Sequence, residues 1–234
     1  MHSVLIALVL AGSTTGPAVG TQQDGQPGEA SIPELVQRIE GHYAHLQDFE
    51  ATFTQRLVHR IVHETVEEGG TVSFKRPGRM RWEYRNPEKL LVTDGSMSYF
   101  YVPEDRQVIV SQTPSGAMGP NPDSPLAVIM GETRLSDAFE VTSSESDAVV
   151  GGQVLKLLPR RPQEDFEEAE LEVRPSDGQV RRVSLLDEQG NRTDFFFEDI
   201  RENIGLPDYL FRFEVPPGVD VLTAAEALPA GGSH

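Results

Sequence analysis

The sequence predicts a mainly β protein in which an antiparallel meander of about eleven short strands curls into a barrel or half-barrel. From residue 49 onward, apolar and polar residues alternate with a period of two, which is typical of strands with one apolar and one wet face. Turn sequences such as Asp94-Gly95 and Asp177-Gly178 separate these stretches. Consecutive strands joined by short turns are therefore expected.

The composition indicates one soluble domain that does not bind nucleic acid. The chain has 234 residues, 38% of them hydrophobic, which suffices for one sizeable core. Its formal net charge of −17 repels phosphates and anionic headgroups and favours a monomer. The sequence contains no cysteine, which excludes disulfides, thiolate catalysis and cysteine-based zinc sites.

The two ends of the chain are predicted to lie outside the folded domain. Val4 to Ala11 is an apolar run too short to span a bilayer, and Ala18 to Gly20 fits a small-x-small cleavage site. Residues 1–20 are therefore predicted to be a signal peptide, with a buried N-terminal strand as the alternative. A disordered lead-in is predicted over 21–30 and a flexible tail over 224–234, which leaves a domain at 31–223.

An amphipathic helix precedes the strands. Ser31 and Glu34 form a capping-box sequence, and Pro33 occupies the first turn, where a missing N–H costs little. Apolar residues then recur at helical spacing, which predicts a helix from 32 to about 47. They are Ile32, Leu35, Val36, Ile39, Tyr43 and Leu46.

The strands follow from the alternation. The first three include Phe49 to Leu57, Val72 to Arg76, and Met80 to Tyr84. Further strands are predicted at 89–93, 97–102, 106–112, 138–143, 153–158, 168–174, 179–186, 192–199 and 209–215. In the strand at 168–174, apolar residues alternate with glutamates, which predicts a solvated acidic face.

One segment interrupts the meander. Residues 113–123 are rich in proline and predict an irregular loop. Ser124 then fits an N-cap with Pro125 at the first helical position, which predicts a short helix through Leu126 to Met130. Because that helix is apolar on most sides, it must be buried against other parts of the molecule.

His59 and His63 lie four residues apart, a spacing that could seat a metal ion on a helix. The alternating context instead predicts an extended hairpin tip, where two such imidazoles would lie roughly 13 Å apart. No metal site is therefore predicted. The chain also lacks a GxSxG motif and a convincing Ser/His/Asp arrangement, so we predict a protein that is not an enzyme and needs no cofactor.

A cluster of basic residues follows the second strand. Three of them share the polar face of the third strand and are predicted to be solvated: Arg79, Arg81 and Arg85. Arg76 instead falls in phase with Val72 and Phe74 on the apolar face, where it must reach the rim or bond to carbonyls or carboxylates. A strand-end arginine exposed by the following Pro77 is the alternative.

The apolar face is predicted to line a cavity. One helix of about four turns and one short segment are little cover for about eleven strands, and a curled sheet would leave space beneath them. The residues predicted to line this space are Phe53, Phe74, Met80, Trp82 and Tyr84 from the strands, with Leu126, Ile129 and Met130 from the inserted helix.

Five stretches carry a resemblance to a known family. They are LQDFEATFTQ (46–55), GTVSFKRPGRMRWEY (70–84), NPEKLLVTDGSMSYFYVPEDRQV (86–108), SPLAVIM (124–130) and FRFEVPPGVDV (211–221). In order and spacing over about 33–222, the chain resembles the LolA family of periplasmic outer-membrane lipoprotein carriers. KRP followed by a tryptophan and a TDG turn is the most specific feature.

The resemblance implies an incomplete, unclosed antiparallel β-barrel covered by the N-terminal helix and a short helical lid. It implies a periplasmic chaperone whose apolar interior receives lipoprotein acyl chains. The donor would be an inner-membrane lipoprotein-releasing ABC transporter, and an outer-membrane acceptor, if one is present, would receive the cargo. Arg76 matches the family arginine that holds the lid shut through lid carbonyls, whereas Met80 stands where the family often has an aromatic residue. A half-barrel module for lipid binding or envelope sensing, without transport, is the alternative.

Overall fold

The computed structural model describes residues 30–112 and 123–227. The predicted signal peptide, nearly all of the predicted lead-in, residues 113–122 of the proline-rich loop and residues 228–234 lie outside these ranges. The strands are β1 (Asp48–His59), β2 (Glu64–Lys75), β3 (Arg79–Arg85), β4 (Glu88–Asp94), β5 (Ser98–Val102), β6 (Gln107–Ser111), β7 (Phe139–Ser143), β8 (Gln153–Pro159), β9 (Glu168–Val173), β10 (Val180–Leu186), β11 (Arg192–Glu202) and β12 (Asp220–Thr223). The helices are α1 (Ile32–Ala44), α2 (Pro125–Ile129), α3 (Leu135–Ala138) and α4 (Ala224–Ala227), with a 3₁₀ turn at Asp208–Phe211.

The strands described here form one sheet in the order β12-β6-β5-β4-β3-β2-β1-β11-β10-β9-β8-β7. Neighbouring strands are antiparallel except for β12, which runs parallel to β6. Because β12 and β7 end this order without pairing to each other, the sheet is unclosed, as predicted. Pairing of β1 with β11 joins a first half, β1 to β6, to a second half, β7 to β11.

Helices α1, α2 and α3 pack on one face of this sheet, called here the covered face. Leu35, Ile39 and Tyr43 of α1 are buried in a single apolar cluster with side chains from both halves of the sheet. The capping box of α1 is confirmed, and the main-chain N–H of Ser31 donates to the Glu34 carboxylate at 3.2 Å. The helix ends at Ala44, slightly before the predicted end.

The inserted helix α2 is confirmed. Ser124 is its N-cap, and the Ser124 hydroxyl accepts the main-chain N–H of Ala127 at 3.2 Å. All five helical residues are buried, as expected for a helix that is apolar on most sides. The four-residue helix α3, which the sequence did not predict, then leads into β7.

The predicted strand at 209–215 is wrong. This segment forms the 3₁₀ turn and an extended stretch outside the sheet, on the face that the helices leave free, called here the opposite face. The Phe213 ring lies 5.3 Å from that of Tyr99 and 5.6 Å from that of Tyr101, between ring centroids. The alternation of 209–215 thus reflects one-sided packing of an extended segment, and the shorter β12 pairs with β6 instead.

Two smaller predictions concern the hairpin tip and the C-terminal tail. The hairpin tip is confirmed, because β1 ends at His59, residues 60–63 form the turn, and β2 begins at Glu64. Residues 224–227 of the predicted flexible tail form the short helix α4, and the flexibility of the tail stays a prediction. Within the described ranges, none of the helices has the length and apolar character needed to cross a bilayer.

Candidate functional site

The eight side chains predicted to line a cavity come together in the structure. All of them are buried in one apolar cluster between the covered face and helices α1 and α2: Phe53, Phe74, Met80, Trp82, Tyr84, Leu126, Ile129 and Met130. Cross-strand pairing explains this, since residues opposite each other in a sheet point to the same face. Phe74 pairs with Met80, for example, and Val72 with Trp82. Their function as a lipid-binding surface remains a prediction.

Trp82 lies at the centre of this cluster, inside a group of four phenylalanine rings. The Trp82 ring centroid lies 4.7 Å from that of Phe53 and 5.6 Å from that of Phe195. Phe74 and Phe197 follow at 6.0 and 6.4 Å. Aromatic contacts at these distances bury large apolar areas, so this group forms the main apolar surface beneath the helices.

The cluster is closed in this structure. The cavity beside Ile129, which Tyr43, Phe49 and Phe197 also line, has a volume of about 10 Å³. That is about the space of one water molecule. An acyl chain could therefore reach the apolar surface here only if the covering helices moved away from the sheet.

Arg76 joins the C-terminal ends of the two covering helices. Its Nε donates to the carbonyl oxygen of Met130 at 2.9 Å, and Nη2 donates to that of Gly131. On the α1 side, Nη2 donates to the carbonyl of Tyr43 at 2.7 Å and Nη1 to that of Ala44 at 3.1 Å. The last carbonyls of a helix lack partners within the helix and carry partial negative charge. One guanidinium therefore satisfies both helix ends at once.

The inward orientation predicted for Arg76 agrees with these contacts, and its function as a latch is considered below. A glycine is required at position 131, where the end of α2 meets the Arg76 guanidinium. Its φ of +66° favours glycine, and a Cβ there would lie 1.6 Å from Nη2 of Arg76. The Glu132 carboxylate also accepts the main-chain N–H of Gly78, which ties the end of α2 to the β2–β3 turn.

Helix α1 has further polar contacts with the second half of the sheet and with α3. The buried Tyr43 hydroxyl accepts the main-chain N–H of Val180 at 2.9 Å, and burial raises the pKa of Tyr43 well above its ordinary value. His42 Nε2 lies 2.8 Å from a carboxylate oxygen of Glu202. Burial alone would raise the pKa of Glu40, but hydrogen bonds from Ser136 and Arg134 outweigh it and lower this pKa.

Two of the arginines predicted to be solvated are engaged instead. Arg79 donates to the carbonyl of Arg76 at 2.8 Å and pairs with Asp208 at 2.8 Å. Arg81 donates to the carbonyl of Leu210 at 3.2 Å. Both hold the 3₁₀ segment against the opposite face, a contact that alternation within β3 could not reveal. Arg85 is exposed, as predicted.

The sequence reasoning missed an ionic cluster on the opposite face of the second half. Arg182 is 2% exposed and pairs with Glu172 at 3.2 Å, Asp194 at 3.1 Å and Glu170 at 3.4 Å. The predicted solvated acidic face of β9 is therefore wrong, because the segment 144–152 covers it. Three main-chain N–H groups of that segment donate to Glu172: those of Val149, Val150 and Gly152. Arg182 on β10 lies directly opposite Glu172 on β9, and this pair of opposite charges was the signal in the sequence that could have indicated the cluster.

These features define a class of protein: an unclosed, mostly antiparallel sheet whose apolar face is closed by short helices joined through one arginine. Within that class the chain belongs to the LolA family. The sequence profile described as "Outer membrane lipoprotein carrier protein LolA" matches residues 44–214. The family resemblance found in the sequence is thereby confirmed.

Individual relatives agree with this assignment. The outer-membrane lipoprotein carrier protein of Pseudomonas paraeruginosa is 31% identical over 80% of this chain and 86% of its own length. The protein of the same description from Azotobacter vinelandii is 30% identical over 84% of this chain and 90% of its own. A solved structure, an uncharacterized conserved protein from Thermus thermophilus, matches with a TM-score of 0.50 at 16% identity. That alignment covers 83% of this chain and 99% of the other, and it shows the fold alone.

Proposed function

We propose that this protein is a periplasmic carrier that binds the acyl chains of lipoproteins against the covered face and passes them from the inner toward the outer membrane. The observation that carries the proposal is an aromatic apolar surface closed by two helices whose ends are held by a single arginine. The described function of its relatives supports the same conclusion.

The balance of binding and release follows from the closed packing. Each acyl CH₂ that leaves water contributes about 0.8 kcal/mol, so several long chains would bind almost irreversibly to an open apolar surface. Here the surface is already covered by α1 and α2, and loading must first separate them from it. The cost of that opening lowers the net affinity, which lets the carrier give its cargo to a better acceptor.

The proposal extends to partners and location. A carrier of this kind receives its cargo from an inner-membrane lipoprotein-releasing ABC transporter and delivers it to an outer-membrane acceptor. It works in the periplasm as a monomeric binding protein and not as an enzyme. Arg76 is its lid latch, and the eight clustered side chains are the lining that the acyl chains contact once the helices have moved.

The test is binding of a fluorescent fatty-acyl probe, followed through the emission of Trp82, the only tryptophan of the chain. The wild type should bind the probe with micromolar or better affinity. Ile129→Asp should weaken binding by about tenfold or more, because a carboxylate facing the apolar surface is costly to desolvate. Ile61→Asp is the matched control, since Ile61 is 78% exposed at the hairpin tip.

Thermal midpoints measured on the same samples separate binding from folding. Ile61→Asp should leave both the affinity and the midpoint near the wild-type values. A wild type that binds no acyl probe, together with an Ile129→Asp protein that simply unfolds, would end the carrier hypothesis, because the covered face would then be an ordinary solid core.

A further inference from the structure

The indole N–H of Trp82 is a buried donor without an acceptor. Trp82 is 0% exposed, and among the described residues its Nε1 has no hydrogen-bond partner. Buried donors are nearly always paired, because a desolvated N–H that finds no partner lowers the stability of the fold. This donor is therefore a feature that the closed structure does not explain.

The neighbourhood of Trp82 offers the indole only weak acceptors. The four phenylalanine rings around it present π faces, which accept N–H groups weakly. The hydroxyls of the two buried tyrosines near it are paired. The Tyr43 hydroxyl accepts the N–H of Val180, and the Tyr84 hydroxyl donates to Gln55 at 2.8 Å. A phenylalanine at position 82 would fill apolar space without leaving an unpaired donor.

The proposed cargo supplies the missing acceptor. An acyl chain ends in an ester or amide carbonyl, which must find a donor when it leaves water. We propose that the Nε1–H of Trp82 donates a hydrogen bond to an acyl carbonyl of the bound cargo, and so makes the site selective for acyl over alkyl chains. This inference rests on the proposed carrier function.

The residues along β3 indicate which way a bound acyl chain would lie. Toward the Arg76 end, the surface stays apolar through Met80 and Phe74. Past Tyr84, at the other end, it becomes polar, with Lys89 Nζ 2.7 Å from the Glu68 carboxylate and 5.1 Å from the Tyr84 ring centroid. A carbonyl at Trp82 would place the hydrocarbon toward Met80 and the polar remainder of the cargo toward Tyr84.

The experiment compares two lipids that differ only at the carbonyl: dipalmitoylglycerol, with two esters, and dihexadecylglycerol, with two ethers. Wild-type protein should bind the ester lipid about three- to tenfold more tightly than the ether, the range expected for one net hydrogen bond. Replacing Trp82 with β-(3-benzothienyl)alanine keeps the ring size but removes the N–H. The preference for the ester should then disappear.

Two further measurements guard against a purely structural effect. Because the chain has a single tryptophan, its indole ¹⁵N–¹H resonance is a single NMR signal. That signal should move downfield with the ester lipid and not with the ether. Trp82→Phe changes ring volume and so alters the affinity for both lipids, but the ratio of the two affinities should fall as in the benzothienyl protein.

The possible failures are distinguishable. Equal wild-type affinity for ester and ether, or an ester preference that survives loss of the N–H, would overturn the inference and leave the carrier function standing. A wild type that binds neither lipid would overturn both.

Discussion

Two arginines mark the two faces of the sheet, and their partners differ in kind. On the covered side, Arg76 bonds to four main-chain carbonyls at the ends of α1 and α2. Within the described part of the chain, no carboxylate lies within ion-pairing distance of it. On the opposite face, Arg182 is surrounded by three carboxylates from β9 and β11.

This difference means that the Arg76 contact can open, whereas the Arg182 contact cannot. Carbonyls are neutral, so a guanidinium that leaves them returns to water without leaving an uncompensated charge in the protein. If Arg182 left its site, the buried Glu172 carboxylate would lose its ion pair, and Glu170 and Asp194 would keep only Arg192, which is strongly unfavourable. We infer that the Arg182 cluster fixes the second half of the sheet while Arg76 permits the helices above the covered face to move.

The largest expected effect is on Arg182. Arg182→Met should lower the free energy of unfolding by about 3–5 kcal/mol, because the substitution leaves the buried Glu172 carboxylate without its counter-charge and leaves Glu170 and Asp194 with Arg192 alone. Urea denaturation measures this change. Arg201→Met is the matched control, since Arg201 pairs with Glu50 on β1 but is mostly exposed, and it should cost no more than about 1 kcal/mol. Similar losses for the two variants would contradict the distinction between the faces.

A smaller effect on stability and a larger one on function are expected for Arg76. Arg76→Leu should still fold and bind lipoprotein, but release it poorly, since lost lid contacts cost on the order of 1–3 kcal/mol in the closed state alone. Handover kinetics to acceptor membranes measure this. Arg76→Lys should be intermediate, because an ammonium keeps the charge but cannot reach four carbonyls at once. Unchanged handover in Arg76→Leu would remove Arg76 from the mechanism.

The smallest expected effect is a loss of stability at low pH around Glu172. Burial raises the pKa of Glu172, but the N–H groups of residues 149–152 and the charge of Arg182 outweigh it, so this pKa lies below its ordinary value. A lowered pKa in the folded state means that the stabilisation is present above the ordinary glutamate pKa and is lost as the pH falls through the folded one. The carbonyls that hold Arg76 do not titrate.

Hydrogen exchange measures this pH effect directly. The amides of Val149, Val150 and Gly152 should become less protected as the pH falls below the ordinary glutamate range, after correction for intrinsic exchange. In Glu172→Gln they should already be less protected at neutral pH and respond less to acid. Equal pH responses in the two proteins would show that another group controls the covering segment.

The elements that the sequence predicted correctly are marked by short sequence patterns within the elements themselves. The capping box of Ser31 and Glu34 marks the start of α1, and Ser124-Pro125 marks that of α2. Period-two alternation also placed Arg76 on the covered side. Its four acceptors could not be predicted, because they lie at helix ends that meet only in the folded molecule.

The errors arose where a second segment covers a strand. The acidic residues of β9 alternate as a solvated face would, yet residues 144–152 bury Glu172 completely. The segment at 209–215 alternates as a strand would, yet it packs across β3 to β5 without joining the sheet. Alternation reports which residues are buried together on one side, but not whether the other side meets water or more protein.

The pairing of β1 with β11 has a consequence for how the chain acquires its fold. Phe53 pairs with Phe197 across this junction, so one side of a twelve-residue strand has no partner until nearly all of the chain is available. Contacts this distant in sequence slow folding, and an unpaired strand edge invites association with other chains. The nascent protein therefore passes through a stage in which β1 to β6 present an open edge, and a truncation before β11 should aggregate instead of forming half a sheet.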